Sequence, residues 1–270
     1  MKQLGLMCGI IAMETPMSTP KSESTRVIVV GATGRIGSRV CEAAHQDPHF
    51  ELVSGLCASL KSRDNQRCVV GDDRSPLLRT AVNTGTCANV VIDFSSDSGA
   101  RAALQVADRC GASALIGTTA LTDETRRIID AASRRRAVLV APNTSLGIAV
   151  LSECVRLAAG TLGARFDCSI VESHHKHKKD APSGTALALA RIAVDAGAAL
   201  DPDQVLAVRG GDVAGEHTIR FAGAGEVVEL THRVLSRGVF VQGALVAAKW
   251  LHGRAPGLYA MTDVLDIMSR

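Results

Sequence analysis

The sequence predicts an α/β protein: a doubly wound parallel sheet followed by a mixed α+β half with an open, largely antiparallel sheet. Three observations carry this. Short β-branched runs alternate with helical segments from Arg26 to Ala141. The first run leads directly into the glycine-rich turn Gly31-Ala32-Thr33-Gly34-Arg35-Ile36-Gly37. After about residue 145 the alternation gives way to strand following strand.

Arg26–Val30 reads as a buried strand, and Arg35–His45 as a helix ended by Asp47-Pro48. Leu52–Cys57 and Val90–Phe94 are the next strands. Ser95-Ser96-Asp97 caps a helix running to Cys110. Ala114–Ile116 is a strand. Leu121-Thr122-Asp123-Glu124 opens a helix to Arg136, capped by Thr122, and Ala137–Ala141 is a further strand. Beyond this point Ile148–Leu162 is a long apolar helix, Asp167–Glu172 a strand and Pro182–Gly197 a helix. From Glu216 to Val246 the chain reads as antiparallel strands: Glu216–Phe221, Glu226–Arg233 and a run near Val239.

Composition narrows the function classes. A chain of 270 residues with 46% apolar and 21% charged residues can bury a sizeable core, and its length fits about two domains. Aromatics are 3%, so platforms for stacking single-stranded bases are scarce. A net charge of +3 is too balanced to argue for nucleic acid or a membrane surface. The eight Cys are scattered without a CxxC spacing and read as small buried thiols of a cytoplasmic protein. No apolar run reaches the roughly 18 residues of a spanning helix. Residues 1–25, rich in Ser, Thr and Pro, read as a flexible extension rather than an export signal, and Met13 or Met17 could serve as the start.

The glycine turn stands where a dinucleotide pyrophosphate binds, between a strand and a helix. The first glycine permits the turn, the second admits the pyrophosphate, and the third packs helix on strand. The following helix N-terminus offers N–H groups to phosphate. The bland alternative is a tight turn with no ligand. The acid expected at the end of the second strand is missing: that stretch reads Leu56-Cys57-Ala58-Ser59-Leu60-Lys61-Ser62-Arg63. Without an acid for a ribose hydroxyl, and with cations for a 2′-phosphate, the pattern favours NADPH over NADH. Lys61 and Arg63 read equally as solvated loop charges.

A second motif runs from Glu172 to Thr185: Glu-Ser-His-His-Lys-His-Lys-Lys-Asp-Ala-Pro-Ser-Gly-Thr. Three His and three Lys fall within six residues, beside a helix start. Such a site suits a small dicarboxylate, and an imidazole or ammonium can deliver a proton. No carboxylate or Cys spacing supports a metal, so none is expected. A solvated basic loop is the alternative.

These residues resemble the dihydrodipicolinate reductase family. The likeness extends from about Arg26 to the C-terminus. It rests on Val30–Gly37, Val91-Ile92-Asp93-Phe94-Ser95, Ile116-Gly117-Thr118-Thr119, Ala141-Pro142-Asn143-Thr144-Ser145, Glu172–Thr185 and Gly210–Thr218. It implies a Rossmann-type domain over 26–144, to which 244–270 returns, and a substrate-binding and tetramerisation domain over 145–243. It implies hydride transfer from NADPH, with NADH as a second option, to a cyclic dicarboxylate that loses its hydroxyl as water. Gly31, Ala32, Thr33, Gly34, Arg35 and Ile36 match the pyrophosphate loop. Gly117, Thr118, Thr119 and Ala141, Pro142, Asn143, Thr144 match the segments beside nicotinamide and its ribose. His174 matches the proton donor and Lys178 the second catalytic residue; His175, Gly184 and Thr185 match positions that hold substrate carboxylates. A homotetramer is implied, with no nucleic-acid or membrane partner.

Three positions depart from the family pattern. Ala58-Ser59 replace an acidic-basic pair, the stretch between Leu200 and Arg209 is shortened, and Thr144 replaces an aromatic found in some members. Two other readings remain: a sensor that binds the cofactor without catalysis, and a dehydrogenase of similar architecture acting on a substrate such as aspartate.

Overall fold

The computed structural model describes residues 24–59 and 65–267. Strands β1 (Thr25–Val30), β2 (Phe50–Leu56), β3 (Leu78–Arg79), β4 (Val90–Asp93), β5 (Ser113–Ile116), β6 (Ala137–Val140) and β11 (Gly257–Tyr259) form one sheet, in the order β11-β6-β5-β4-β1-β2-β3. Every pairing in it is parallel. Val27, Ile28, Val29, Val90, Val91 and Ile92 are fully buried, as strands covered on both faces require.

The sheet is covered by helices α1 (Gly37–Gln46), α2 (Asp97–Cys110) and α3 (Asp123–Ser133). Caps set their ends. Ser96 accepts from the Gly99 N–H and Thr122 from the Thr125 N–H, as the sequence predicts for Thr122. Gly111, in the left-handed region, closes α2. Helix α3 stops at Ser133, short of the expected Arg136. The Arg136 guanidinium instead donates to the carbonyls of Ala107 and Ala112 and pairs with Asp108, tying the chain back to α2.

The second sheet has four strands, β7 (Asp167–His174), β8 (Val205–Arg209), β9 (Glu216–Gly223) and β10 (Glu226–Arg233), in the order β10-β9-β7-β8. Only β8 runs parallel to its neighbour. Helices α4 (Leu146–Leu162) and α5 (Gly184–Asp195) cover one face. There Ile148, Leu151, Val155, Leu189, Cys168, Ile170, Ile219 and Phe221 make a separate core. With the 3₁₀ turn that follows it, α4 extends over Leu146–Arg165, 20 residues. That corrects the expectation that no apolar segment reaches spanning length. One side of it packs on α5, β9 and β10, while Val150 and Leu157 on the other side are exposed.

The run near Val239 is not a strand. Gly238–Leu251 forms helix α6, which packs on α1, β4, β5 and β6. Val241, Ala244, Leu245, Ala248 and Leu251 join the core of the parallel sheet. The β-branched and aromatic start, Val239-Phe240-Val241, mimics a strand. Yet a helix buried on most sides is also a continuous apolar run. Gly243 is fixed by contact, since a Cβ there would lie 1.7 Å from the Thr144 carbonyl oxygen.

Among the described cysteines, Cys41, Cys57, Cys68 and Cys168 are buried free thiols, while Cys87 and Cys154 are exposed, contrary to a uniformly buried set. Cys8, Lys61, Arg63 and residues 1–23 lie outside the described residues.

Candidate active site

The glycine turn is a cradle made of backbone. Gly31 has φ +80°, and a Cβ on it would lie 2.4 Å from the Phe94 carbonyl oxygen. A Cβ on Gly37 would lie 2.1 Å from the Gly31 carbonyl oxygen. The N–H groups of Gly31 and Ala32 both donate to Leu56 O, at 2.9 and 3.0 Å, which pins the turn to the end of β2. Helix α1 then starts at Gly37 with no side-chain cap and no acid in its first turn. Its N-terminal dipole therefore faces no protein anion, and the cradle fits a pyrophosphate. Thr33 and Gly34 are part-buried, Ala32 is buried, Arg35 is exposed, and Ile36 leans on the core. Beside the cradle Cys57 is buried, with its N–H on Arg79 O at 2.9 Å, and Ala58 and Ser59 are exposed.

The neighbouring strand ends complete a crevice. Gly117 lies so close to Phe94 that a Cβ would meet its ring at 2.4 Å. The Ser95 N–H donates to Thr118 Oγ1 at 3.0 Å, and the Ser95 hydroxyl donates to Asp93. Burial pushes the Asp93 carboxyl above its ordinary range against these hydrogen bonds. Thr119 and Pro142 are exposed, and Ala141 is buried. The Thr144 side chain is turned away from the crevice: it is 1% exposed, and its hydroxyl donates to Phe240 O at 2.6 Å. The Thr144 carbonyl oxygen packs against Gly243 of α6.

Asn143 connects the two halves. Its amide donates to Thr185 Oγ1 at 3.1 Å, and its Oδ1 accepts from the Ser145 N–H at 2.9 Å. Thr185 and Gly184 open α5, where Ser183 is the N-cap and accepts from the Ala186 N–H. No acid stands in the first turn of α5, yet carboxylates already meet this helix N-terminus, Glu172 at the Ser183 N–H and Asp180 at the Gly184 backbone, which marks it as a place where a carboxylate is held.

Alternation along β7 buries Cys168, Ile170, Glu172 and His174 on the face under α4 and α5. Glu172 is fully buried, and its carboxylate is saturated. Oε2 accepts from His174 Nδ1 at 2.5 Å and Arg209 Nη1 at 2.8 Å. Oε1 accepts from Arg209 Nη2 at 2.7 Å and the Ser183 N–H at 2.9 Å. Burial alone would raise its pKa. The Arg209 guanidinium, then His174 and the Ser183 N–H, outweigh burial and hold the carboxyl below its ordinary range. A carboxylate only accepts, so Nδ1 of His174 carries the hydrogen and Nε2 is the exchangeable atom. Gly215 stands beside Nε2; a Cβ there would lie 3.0 Å from it, so a side chain would cap the reactive edge.

The other cations surround this pair. Lys178 donates to both Asp180 carboxylate oxygens at 2.8 Å, and this contact lowers the Asp180 pKa. His175 is part-buried, its ring 6.4 Å from that of His177; burial first and the charge of Arg237 next lower its pKa. His217 meets His174 edge-on at 5.2 Å, and its Nε2 lies 3.1 Å from Ser183 Oγ. Burial, then the His174 charge, pushes the His217 pKa down to about 4, so this ring is neutral. Among the described residues no group of three or more His, Cys, Asp or Glu could hold a metal.

The structure thus brings His174, Lys178, His175, Gly184 and Thr185 together with Asn143. Sequence reasoning reaches the motif but not its supports. Arg209 sits on β8, a strand that the pattern does not announce, and His217 lies across the sheet on β9. The available signal is the period of two from Glu172 to His174.

The family models and the curated relatives agree on one family. The family described as "Dihydrodipicolinate reductase, N-terminus" matches residues 25–144, and "Dihydrodipicolinate reductase, C-terminus" matches 147–265. A relative from Methanopyrus kandleri named 4-hydroxy-tetrahydrodipicolinate reductase is 42% identical over 264 residues, covering 88% of this chain and 96% of the relative. One of the same name from Anaeromyxobacter dehalogenans (strain 2CP-C) is 38% identical over 271 residues, covering 90% and 98%. The solved structure of a dipicolinate-bound dihydrodipicolinate reductase from Paenisporosarcina sp. TG-14 shares the fold. Its TM-score is 0.69 at 21% identity, covering 88% of this chain and 97% of that one.

Proposed function

The chain belongs to the dihydrodipicolinate reductase family and is an oxidoreductase that reduces 4-hydroxy-tetrahydrodipicolinate in diaminopimelate and lysine biosynthesis, and we propose that it does so with NADPH and with His174 as proton donor. The observation that carries the site assignment is the Asn143–Thr185 hydrogen bond, 3.1 Å. It places the segment expected beside the nicotinamide against the helix N-terminus expected to hold a substrate carboxylate.

Gly31 to Ile36 and the start of α1 would hold the pyrophosphate, with Gly117–Thr119 and Ala141–Asn143 beside the nicotinamide and ribose. The bound cofactor supplies a hydride. The protein's part is to orient the dicarboxylate and deliver a proton. Thr185 offers an N–H and a hydroxyl to one carboxylate, and Gly184 adds its N–H once Asp180 gives way to the substrate. Lys178 and His175 offer charge to the ring substrate, with Lys178 leaving Asp180 for it. His174 releases its proton from Nε2, the atom beside Gly215. Burial around Glu172, His174 and His217 keeps these charges strong by excluding water.

Ala58 at the end of β2 supports NADPH, because no acid there repels a 2′-phosphate. The uncovered face of the second sheet supports a homotetramer. Val171, Leu206, Val208 and Val227 share that face by register and are 40–56% exposed. Light scattering at micromolar concentration checks assembly; a stable monomer would refute it. Steady-state assays with NADPH and NADH side by side test the cofactor. A higher kcat/KM with NADPH is expected, and Ala58→Glu should shift the ratio towards NADH. Equal or better use of NADH by the unaltered enzyme overturns the preference.

A further inference from the structure

We propose that Glu172, clamped by Arg209, is a positioning residue that holds His174 by Nδ1, aims Nε2 at the substrate and sets how readily the proton leaves. This rests on the reading of His174 as proton donor.

The geometry is that of a relay with a counterweight. Glu172 and His174 lie two residues apart on β7 and share its buried face. Arg209 is paired with His174 in the β7–β8 register, and its side chain reaches back to grip both Glu172 oxygens. The same Nη2 that donates to Glu172 Oε1 also donates to Asp180 O at 2.5 Å. One buried carboxylate therefore fixes the imidazole, the Ser183 N–H at the start of α5 and, through Arg209, the segment carrying Asp180 and Lys178. A fully buried acid with four hydrogen bonds has no freedom to take part in the chemistry. Its fixed charge is what remains to act on His174.

The charges divide the labour. The Glu172 carboxylate lies against Nδ1 and the Arg209 cation lies against the carboxylate, so the two fixed charges act on the imidazole in opposite senses. The remaining groups facing His174 are the neutral His217 on β9, Lys178 with its partner Asp180, and His175; His232 and Arg237 lie beyond them. None of these bonds directly to Glu172. Neutralising Glu172 and neutralising Arg209 should therefore move the enzyme's pH dependence in opposite directions.

The test is the pH profile of kcat/KM for Glu172→Gln, Arg209→Met and Arg209→Lys, with cofactor binding by fluorescence as the check on folding. Glu172→Gln should lower kcat/KM by about 10- to 100-fold. It should also move the basic limb to lower pH by about one unit. Arg209→Met should move that limb to higher pH, and Arg209→Lys should restore it. Limbs that stay put, or move together, overturn the proposal. If a variant does not fold, ¹⁵N-histidine NMR of the unaltered protein decides. Above the titration His174 should be the Nδ1–H tautomer, and an Nε2–H tautomer overturns the relay. A His174→Gln enzyme with near-normal kcat would instead remove His174 as donor. Loss of activity in His174→Gln with unmoved limbs would sink this inference alone.

Discussion

In the parallel sheet the anion cradle is made of backbone; in the second domain charged side chains from the sheet join the N–H groups that open α5. The first needs Gly31 and Gly37 because carbonyl oxygens lie within 2.4 Å of where a Cβ would stand, and it presents a bare helix N-terminus. The second needs a buried acid, an arginine and two imidazoles drawn from β7, β8 and β9. The difference teaches how specificity is divided. Backbone N–H groups recognise phosphate in general and carry no proton to give. The side-chain site costs a buried charge cluster, and in return it can deliver a proton at one atom.

Three experiments sharpen or break this contrast. The largest effect is expected from His174→Gln, which should lower kcat by about 10²–10⁴-fold, the range for loss of a general acid. Cofactor affinity, measured by fluorescence, should survive. Lys178→Met should raise KM as well as lower kcat, since it loses ground-state binding and transition-state contacts together. Near-normal kcat in both would leave the second sheet without chemistry and dissolve the contrast.

The next effect is on stability. The folded protein keeps His217 neutral down to about pH 4, whereas the unfolded chain takes up a proton near the ordinary value of 6.5. The contribution of this ring is therefore complete above pH 6.5 and lost as pH falls from there towards 4. It amounts to about 3 kcal/mol. Urea unfolding at pH 7 and 4.5 should show a smaller acid loss for His217→Asn than for the unaltered protein. Equal losses would mean that burial does not govern this histidine.

The smallest effect is expected at the backbone cradle. Gly31→Ala places a Cβ against Phe94 O in a left-handed conformation and should cost about 1–3 kcal/mol. Cofactor affinity should fall while the pH profile of turnover stays in place. A shifted profile would show that the two sites are not separate devices.

The two regions also differ in how much the sequence discloses. β1, the glycine turn and α1 are legible because local chemistry determines them: β-branched residues, then glycines, then a helical pattern. β10 is read correctly from Glu226 to Arg233 because its residues alternate. β8 escapes because Val205–Arg209 lies at a sheet edge with three of its five residues exposed, so no buried period marks it. α6 is misread because packing on α1, β4, β5 and β6 buries eight of its residues, erasing the helical period. At the site, His174, Lys178 and Thr185 are adjacent in the chain and recognisable together. Arg209 and His217 reach the cluster through strand pairing, which no short motif records.

Thr144, at the point where the chain leaves the parallel sheet, donates to Phe240 O at 2.6 Å, just where the chain comes back. Everything from Ser145 to Val239 is therefore an excursion whose two ends touch. A segment with coincident ends can be lengthened, shortened or exchanged without pulling on the sheet that hosts it. For the protein engineer, the pair Thr144 and Phe240 marks the seam at which a different substrate module could be grafted onto the same nucleotide platform.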